Sequence, residues 1–199
     1  RRACRAALDR VRKSHGGSYQ LPAAEYLLYG MGPRAKYLYA DGTLRDALTG
    51  QVVRGWDVAE QIISPATYTV ALKPRGAQYV FLSEDEQAVW VEADGRREAL
   101  SNGAVRLPDF RGHKHRLVLR VLHQELLVNV VGGKPVPNLF VYPAPWYRDG
   151  AMMAMAFQKT GNVAVIKDSV LGLRDPYDRN NNRETEADNL GQCLYLVSL

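Results

Sequence analysis

Apolar and polar positions along this chain fall into three successive patterns. Residues 1–15 repeat at helical spacing: Cys4, Ala7, Leu8 and Val11 make one apolar stripe, arginines cover the rest, and His15-Gly16-Gly17 stops it. The segment AAEYLLYGM follows Pro22 and runs into Gly30 and Gly32, and its pattern leaves helix and strand both open. Over residues 35–100 the period shortens. KYLYADGTLRDALTGQVVRGW carries turn signals at Asp41-Gly42 and Thr49-Gly50, and Val70, Leu72, Val80 and Leu82 sit in strand-like pieces around Pro74-Arg75-Gly76. QAVWVEADGRREAL alternates around Asp94-Gly95, a hairpin tip. Together these predict one antiparallel sheet of about five to seven short strands.

From residue 112 the pattern turns helical. Residues 113–131 contain no Gly or Pro, and their apolar positions lie nearly all round, which predicts a helix buried on most faces; the valines keep a strand reading open. Gly132-Gly133 ends it, and Pro135 and Pro137 make the connection extended. Three more helical stretches follow. They are APWYRDGAMMAMAF (144–157), whose small residues suggest packing on all sides, VAVIKDSVLGL, and EADNLGQCLYLVSL. Gly161-Asn162 is a short link that predicts antiparallel neighbours. The expected class is α+β: an N-terminal helical segment (1–34), an antiparallel β-domain (35–110) and helical hairpins (111–199). LYLVSL stops in mid-pattern without a cap. The chain therefore reads as an N-terminal fragment, with further hairpins or another chain covering its apolar helix faces.

Charge changes this picture little. The net charge of +5 resides in residues 1–20, which hold six basic residues against Asp9, while the acids and bases of the remainder cancel. That is a basic terminal segment rather than a basic face, so no nucleic-acid partner is expected. No run of about 18 apolar residues occurs, so no membrane helix is expected. Cys4 and Cys193 lie far apart with no CxxC, which argues against a zinc ribbon or a disulfide scaffold. His113, His115 and His123 lack the spacing of a metal trio, and no GxSxG, P-loop, HExxH or GxGxxG is present.

Candidate chemistry gathers in two places. Asp149 falls in the first turn of its helix, where a carboxylate complements the dipole by roughly 0.5–1 kcal/mol. Capping does not account for Trp146, Tyr147 and Arg148 before it. Flat aromatics offer a face to a sugar ring, and an Arg-Asp pair offers fixed donors and acceptors to adjacent hydroxyls. The loop DPYDRNNNRETEADN (175–189) collects Asp175, Asp178, Glu184, Glu186 and Asp188. Three readings stand: an oxygen-rich calcium loop, though without EF-hand spacing; caps for the next helix; or a carboxyl pair for glycoside hydrolysis.

Trp146-x-Arg148-Asp149 before a small-residue helix resembles the W-x-R-D signature of glucoamylase-like enzymes, in the six-hairpin glycosidase group with its (α/α)6 toroid; the likeness extends to bacterial proteins of this type. The preceding β-zone is similar to the β-domain found before the toroid in several such families. The resemblance implies that Arg148 and Asp149 bind hydroxyls of an oligosaccharide or polysaccharide; Trp146 and Tyr147 join them as substrate-binding candidates through their aromatic faces alone. The catalytic acid and base in that group lie on later hairpins; Glu186 and Asp188 are the candidate catalytic carboxylates of this chain, a role the motif itself does not require. No cofactor is implied. A full toroid takes twelve helices, roughly 300 residues or more, so residues 111–199 accommodate only its first hairpins, an incomplete toroid. The alternative is a non-catalytic carbohydrate- or protein-binding module. Localisation stays open.

Overall fold

The computed structural model describes residues 24–199. The helix expected over residues 1–15, its basic charge and Cys4 lie outside the described residues. The described chain is α+β, with antiparallel sheets first and helices after. It divides into two units: residues 24–30, 34–103 and 109–123 form one, and residues 31–33, 104–108 and 124–199 the other.

The first unit holds two sheets rather than the single sheet that the pattern predicts. β1 (Tyr26–Tyr29), β2 (Tyr37–Ala40), β3 (Thr43–Asp46) and β4 (Val52–Gly55) pair in that order. β5 (Val58–Ser64), β6 (Thr69–Pro74), β7 (Val80–Glu84), β8 (Ala88–Ala93) and β9 (Arg96–Asn102) make the second sheet. The segment left open between helix and strand is thus β1. Hairpin chemistry is local and was legible: Asp41-Gly42 and Asp94-Gly95 each form a two-residue turn with both φ values positive, the primed geometry whose twist suits antiparallel strands. One amphipathic sheet needs a second layer to bury its apolar face. Tyr29, Tyr39 and Leu44 from the first sheet and Val70, Leu72, Leu82 and Val91 from the second share one core. Each fully buried aliphatic side chain there contributes about 1.5–3 kcal/mol.

Charges are buried in this unit as well. Glu84 accepts the Gly30 N–H on both carboxylate oxygens, at 3.0 Å each, and pairs with Arg34 Nη1 at 2.8 Å. Arg34 also donates to the Asp85 and Gly103 carbonyls, and Lys36 Nζ donates to the Gly30 carbonyl. Such a cluster survives desolvation because most of its hydrogen bonds are met, Arg34 Nη2 alone being buried without a partner among the described residues, and removing one member strands the others.

α1 (Arg116–Val128) is shorter than the sequence pattern, and most of it is only half-buried. Val130–Val131 and Lys134–Pro135 leave the helix to form a small antiparallel hairpin, β10 and β11, whose tip is Gly132-Gly133 with both φ positive. Paired β-branched residues before two glycines favour that hairpin over another helical turn.

In the second unit α2 (Tyr147–Thr160) turns Gly150, Ala151, Met153, Ala154 and Phe157 inward. Its packing is one-sided: Met152 and Met155 are half exposed, against the expectation of contact all round. Gly161 ends it in the left-handed conformation, and Asn162 donates its amide to the Phe157 carbonyl, a Schellman-like close. The buried Asn162 side chain then accepts from Arg106 N–H at 2.8 Å and donates to Arg106 O at 2.9 Å, pinning residues 104–108. VAVIKDSVLGL becomes a 3-10 turn followed by α3 (Lys167–Leu171), one helical turn long, so α2 has α4 (Asn189–Val197) as its main helical neighbour. Leu190, Leu194 and Val197 of α4 are exposed, and Cys193 is half-buried. No described helix is long and apolar enough to cross a membrane.

Candidate functional site

The site is built on an unusual helix start. Trp146 occupies the N-cap of α2 with extended backbone, and an indole cannot accept the free N–H groups of the first turn. Asp178 does so from the polar loop, its Oδ2 accepting the Tyr147 N–H at 2.6 Å across 31 residues of sequence. Two further bonds draw the loop in: the Tyr147 hydroxyl donates to the Asp175 carbonyl at 2.7 Å, and Asn180 Nδ2 donates to the Pro145 carbonyl at 3.2 Å. Asn189 Oδ1 accepts from Asp178 N–H, tying the loop to the start of α4. Arg179 and Arg183 adopt left-handed φ values of 55° and 68°, backbone strain that this network holds in place.

Once the loop is folded in, Arg148 in the first turn of α2 faces Glu186 and Asp188. Arg148 Nη1 lies 3.7 Å from Glu186 Oε1 and 3.9 Å from Asp188 Oδ2, and its Cζ is 5.6 Å from the centre of the Trp146 ring. Both separations exceed hydrogen-bonding distance. Among the described residues the Arg148 guanidinium makes no hydrogen bond, so its donors remain available. Glu186 Oε1 accepts from Asn181, whereas its Oε2 is buried with no hydrogen-bond partner. Asp188 stands at the N-cap of α4 without capping it, and accepts from Gln192 Nε2 at 2.7 Å.

No family model, curated protein or solved structure matches the chain.

Of the residues singled out in the sequence, Trp146, Arg148, Glu186 and Asp188 come together. Tyr147 spends its backbone amide and hydroxyl on the loop; burial, then the neighbouring Cys193, Asp175 and Asp178, push its phenol above the ordinary range. Asp149 sits in the first turn of α2, and its carboxylate makes no hydrogen bond or ion pair to any described residue. Asp175 of the same loop is engaged locally. It accepts from Tyr177 N–H and pairs with Arg179, which hold its carboxyl below the usual range. No group of three or more His, Cys, Asp or Glu suited to a metal occurs among the described residues.

Asp178, Asn180 and Asn189 build the site, yet the sequence placed them only within a polar loop and did not tie them to the start of α2. One signal was present: a helix whose N-cap is Trp, preceded by two prolines, has to borrow an acceptor from elsewhere.

Chemically, the arrangement offers one planar cation with unused donors, two carboxylates as acceptors and an aromatic face. Adjacent hydroxyls of a sugar ring match that set.

Proposed function

We propose that this is a carbohydrate-active protein, a glycoside hydrolase of the six-hairpin kind, whose saccharide is held at the start of α2. The observation that carries the reading is Arg148: its guanidinium lies over Trp146, faces Glu186 and Asp188, and hydrogen-bonds to neither. In this reading Trp146 stacks on a ring, Arg148 donates to its hydroxyls and Asp149 accepts from a second part of the sugar. Glu186 is the better candidate for the acid, because one of its oxygens is buried and unpartnered while Asp188 is half exposed and hydrogen-bonded to Gln192. α1 to α4 are then the opening hairpins of an (α/α) toroid. Its further hairpins, or another chain, would pack on the exposed faces of α2 and α4.

A non-catalytic saccharide-binding module is the second reading. The observation favouring it is that Glu186 and Asp188 both face the Arg148 guanidinium, at 3.7 and 3.9 Å, so that neither carboxylate stands clear of the cation that holds the sugar.

Calorimetric titration with a panel of oligosaccharides tests the reading. Arg148→Ala is expected to weaken binding at least tenfold with an unchanged melting temperature. Equal affinity in the variant removes the assignment. Release of reducing ends by the wild-type protein, abolished in Glu186→Gln with binding kept, selects the hydrolase; binding without turnover selects the module.

A further inference from the structure

Trp146 has a second neighbour besides Arg148. It and Tyr147 form a wall of an open cavity of about 190 Å³. That is smaller than the roughly 300–1,000 Å³ of sites for drug-sized ligands and is scaled to a single small ring. The lower part of the cavity is apolar: Pro135, Gly150, Ile166 and Leu196 are buried there. Ser169 adds a hydroxyl, and the rim carries Lys134 and Arg174.

The charge of this lining is one-sided. No Asp or Glu lines the cavity. The Lys134 ammonium has no ion pair or hydrogen bond among the described residues. Arg174 uses Nη1 alone, on the carbonyls of Leu171 and Leu173, and has no acidic partner. Two other arginines of this unit have a carboxylate within 4 Å: Arg148 faces Glu186 and Asp188, and Arg179 faces Asp175. Two cations around a small aromatic-walled, apolar-floored cavity match a ring that is flat on one face and negatively charged at one edge.

We propose that this cavity is a subsite for a sugar ring bearing an anionic group, a carboxylate or a sulfate ester, next to the position held by Arg148. The proposal rests on the saccharide reading and deepens it. The two positions share Trp146, which lines the cavity and lies under the Arg148 guanidinium. A chain of two or three sugars therefore places its neutral hydroxyls against Arg148, Glu186 and Asp188 and its charged ring against Lys134 and Arg174. A guanidinium held by carbonyls at one nitrogen still presents its other N–H groups in a fixed plane, which suits a bidentate acid group.

The experiment is a calorimetric comparison of trisaccharides of equal length, one neutral, one built of uronic acid and one sulfated, with short polyglutamate as a charge control. The wild-type chain is expected to bind at least one anionic trisaccharide tenfold or more tighter than the neutral one and tighter than polyglutamate. Lys134→Gln and Arg174→Gln are each expected to reduce that preference several-fold, and their combination to abolish it, while neutral-sugar binding and melting temperature stay the same. Lys134 is exposed on a two-residue strand, so its variant reports on the site even if Arg174→Gln loosens the turn after α3. Equal binding of neutral and anionic sugars overturns the subsite and leaves the saccharide reading standing. Polyglutamate binding as tightly as the anionic sugars also overturns it, by reducing it to charge attraction. Absence of binding to every saccharide overturns both.

Discussion

Lys36 lies almost fully buried beside Glu84 and Arg34, with its ammonium on the Gly30 carbonyl. Burial, only partly offset by Glu84, pushes its pKa down from 10.5 to about 8. The sign follows from proton uptake. Between pH 8 and 10.5 the unfolded chain keeps a proton that the folded chain has released, so stability rises with pH across that window, by about 3 kcal/mol at most. Tyr29 opposes this at the upper end: burial raises its phenol well above 10, so above pH 10 the unfolded chain loses a proton the folded chain keeps, and stability falls. Denaturant titrations at pH 7.5, 8.5 and 9.5 should show increasing stability in the wild type and a flatter profile in Lys36→Met. A decline over that range contradicts the burial of Lys36. None of this was legible beforehand, because an Arg and a Lys standing 50 residues or so from a Glu look like surface charges until a fold brings them together.

At the scale of elements, α2 depends on a cap that is remote in sequence. Asp178→Ala removes the acceptor of the Tyr147 N–H and of the Asn180 N–H. The expected loss is about 1–2 kcal/mol by the usual cost of an N-cap. Because the same carboxylate holds the loop against the helix, saccharide affinity should fall with it. Asp178→Asn retains an acceptor and is expected to recover most of the stability. Equal denaturation midpoints for Asp178→Ala and wild type would show that the loop is not held this way. The hairpin turns at Asp41-Gly42 and Asp94-Gly95 stand at the other extreme, since two adjacent residues suffice to specify them. Val130–Val131 lies between: the glycines after it were visible as a stop, but only pairing with Lys134–Pro135 made the end of the helical run a strand.

Across the whole molecule, apolar residues fall into two populations with different energetic weight. Leu82 is 1% exposed within the two-sheet core, and Leu194 is 69% exposed on α4. Leu82→Ala is expected to cost about 2–5 kcal/mol by loss of burial and creation of a cavity. Leu194→Ser should change folding stability by less than about 0.5 kcal/mol. Thermal or denaturant unfolding of the two variants checks the contrast, and a large loss in Leu194→Ser would mean that α4 is packed on both faces. Periodicity alone ranks both leucines as apolar helix or strand positions and cannot separate them.

By itself the sequence determined what depends on near neighbours. That includes the class, strands before helices, the two-residue hairpin turns and the place where α2 begins. It also marked Trp146 and Arg148 as chemistry out of proportion to a helix start. Only the tertiary structure decided that the strands form two sheets around one core, that Glu84, Arg34 and Lys36 are buried together, and that α2 is apolar on an exposed face. It alone brought Glu186 and Asp188 to Arg148. The reason is physical: turn geometry and side-chain period act within a few residues, whereas caps, buried ion pairs and shared guanidinium contacts form between segments whose separation along the chain carries no signal of their meeting.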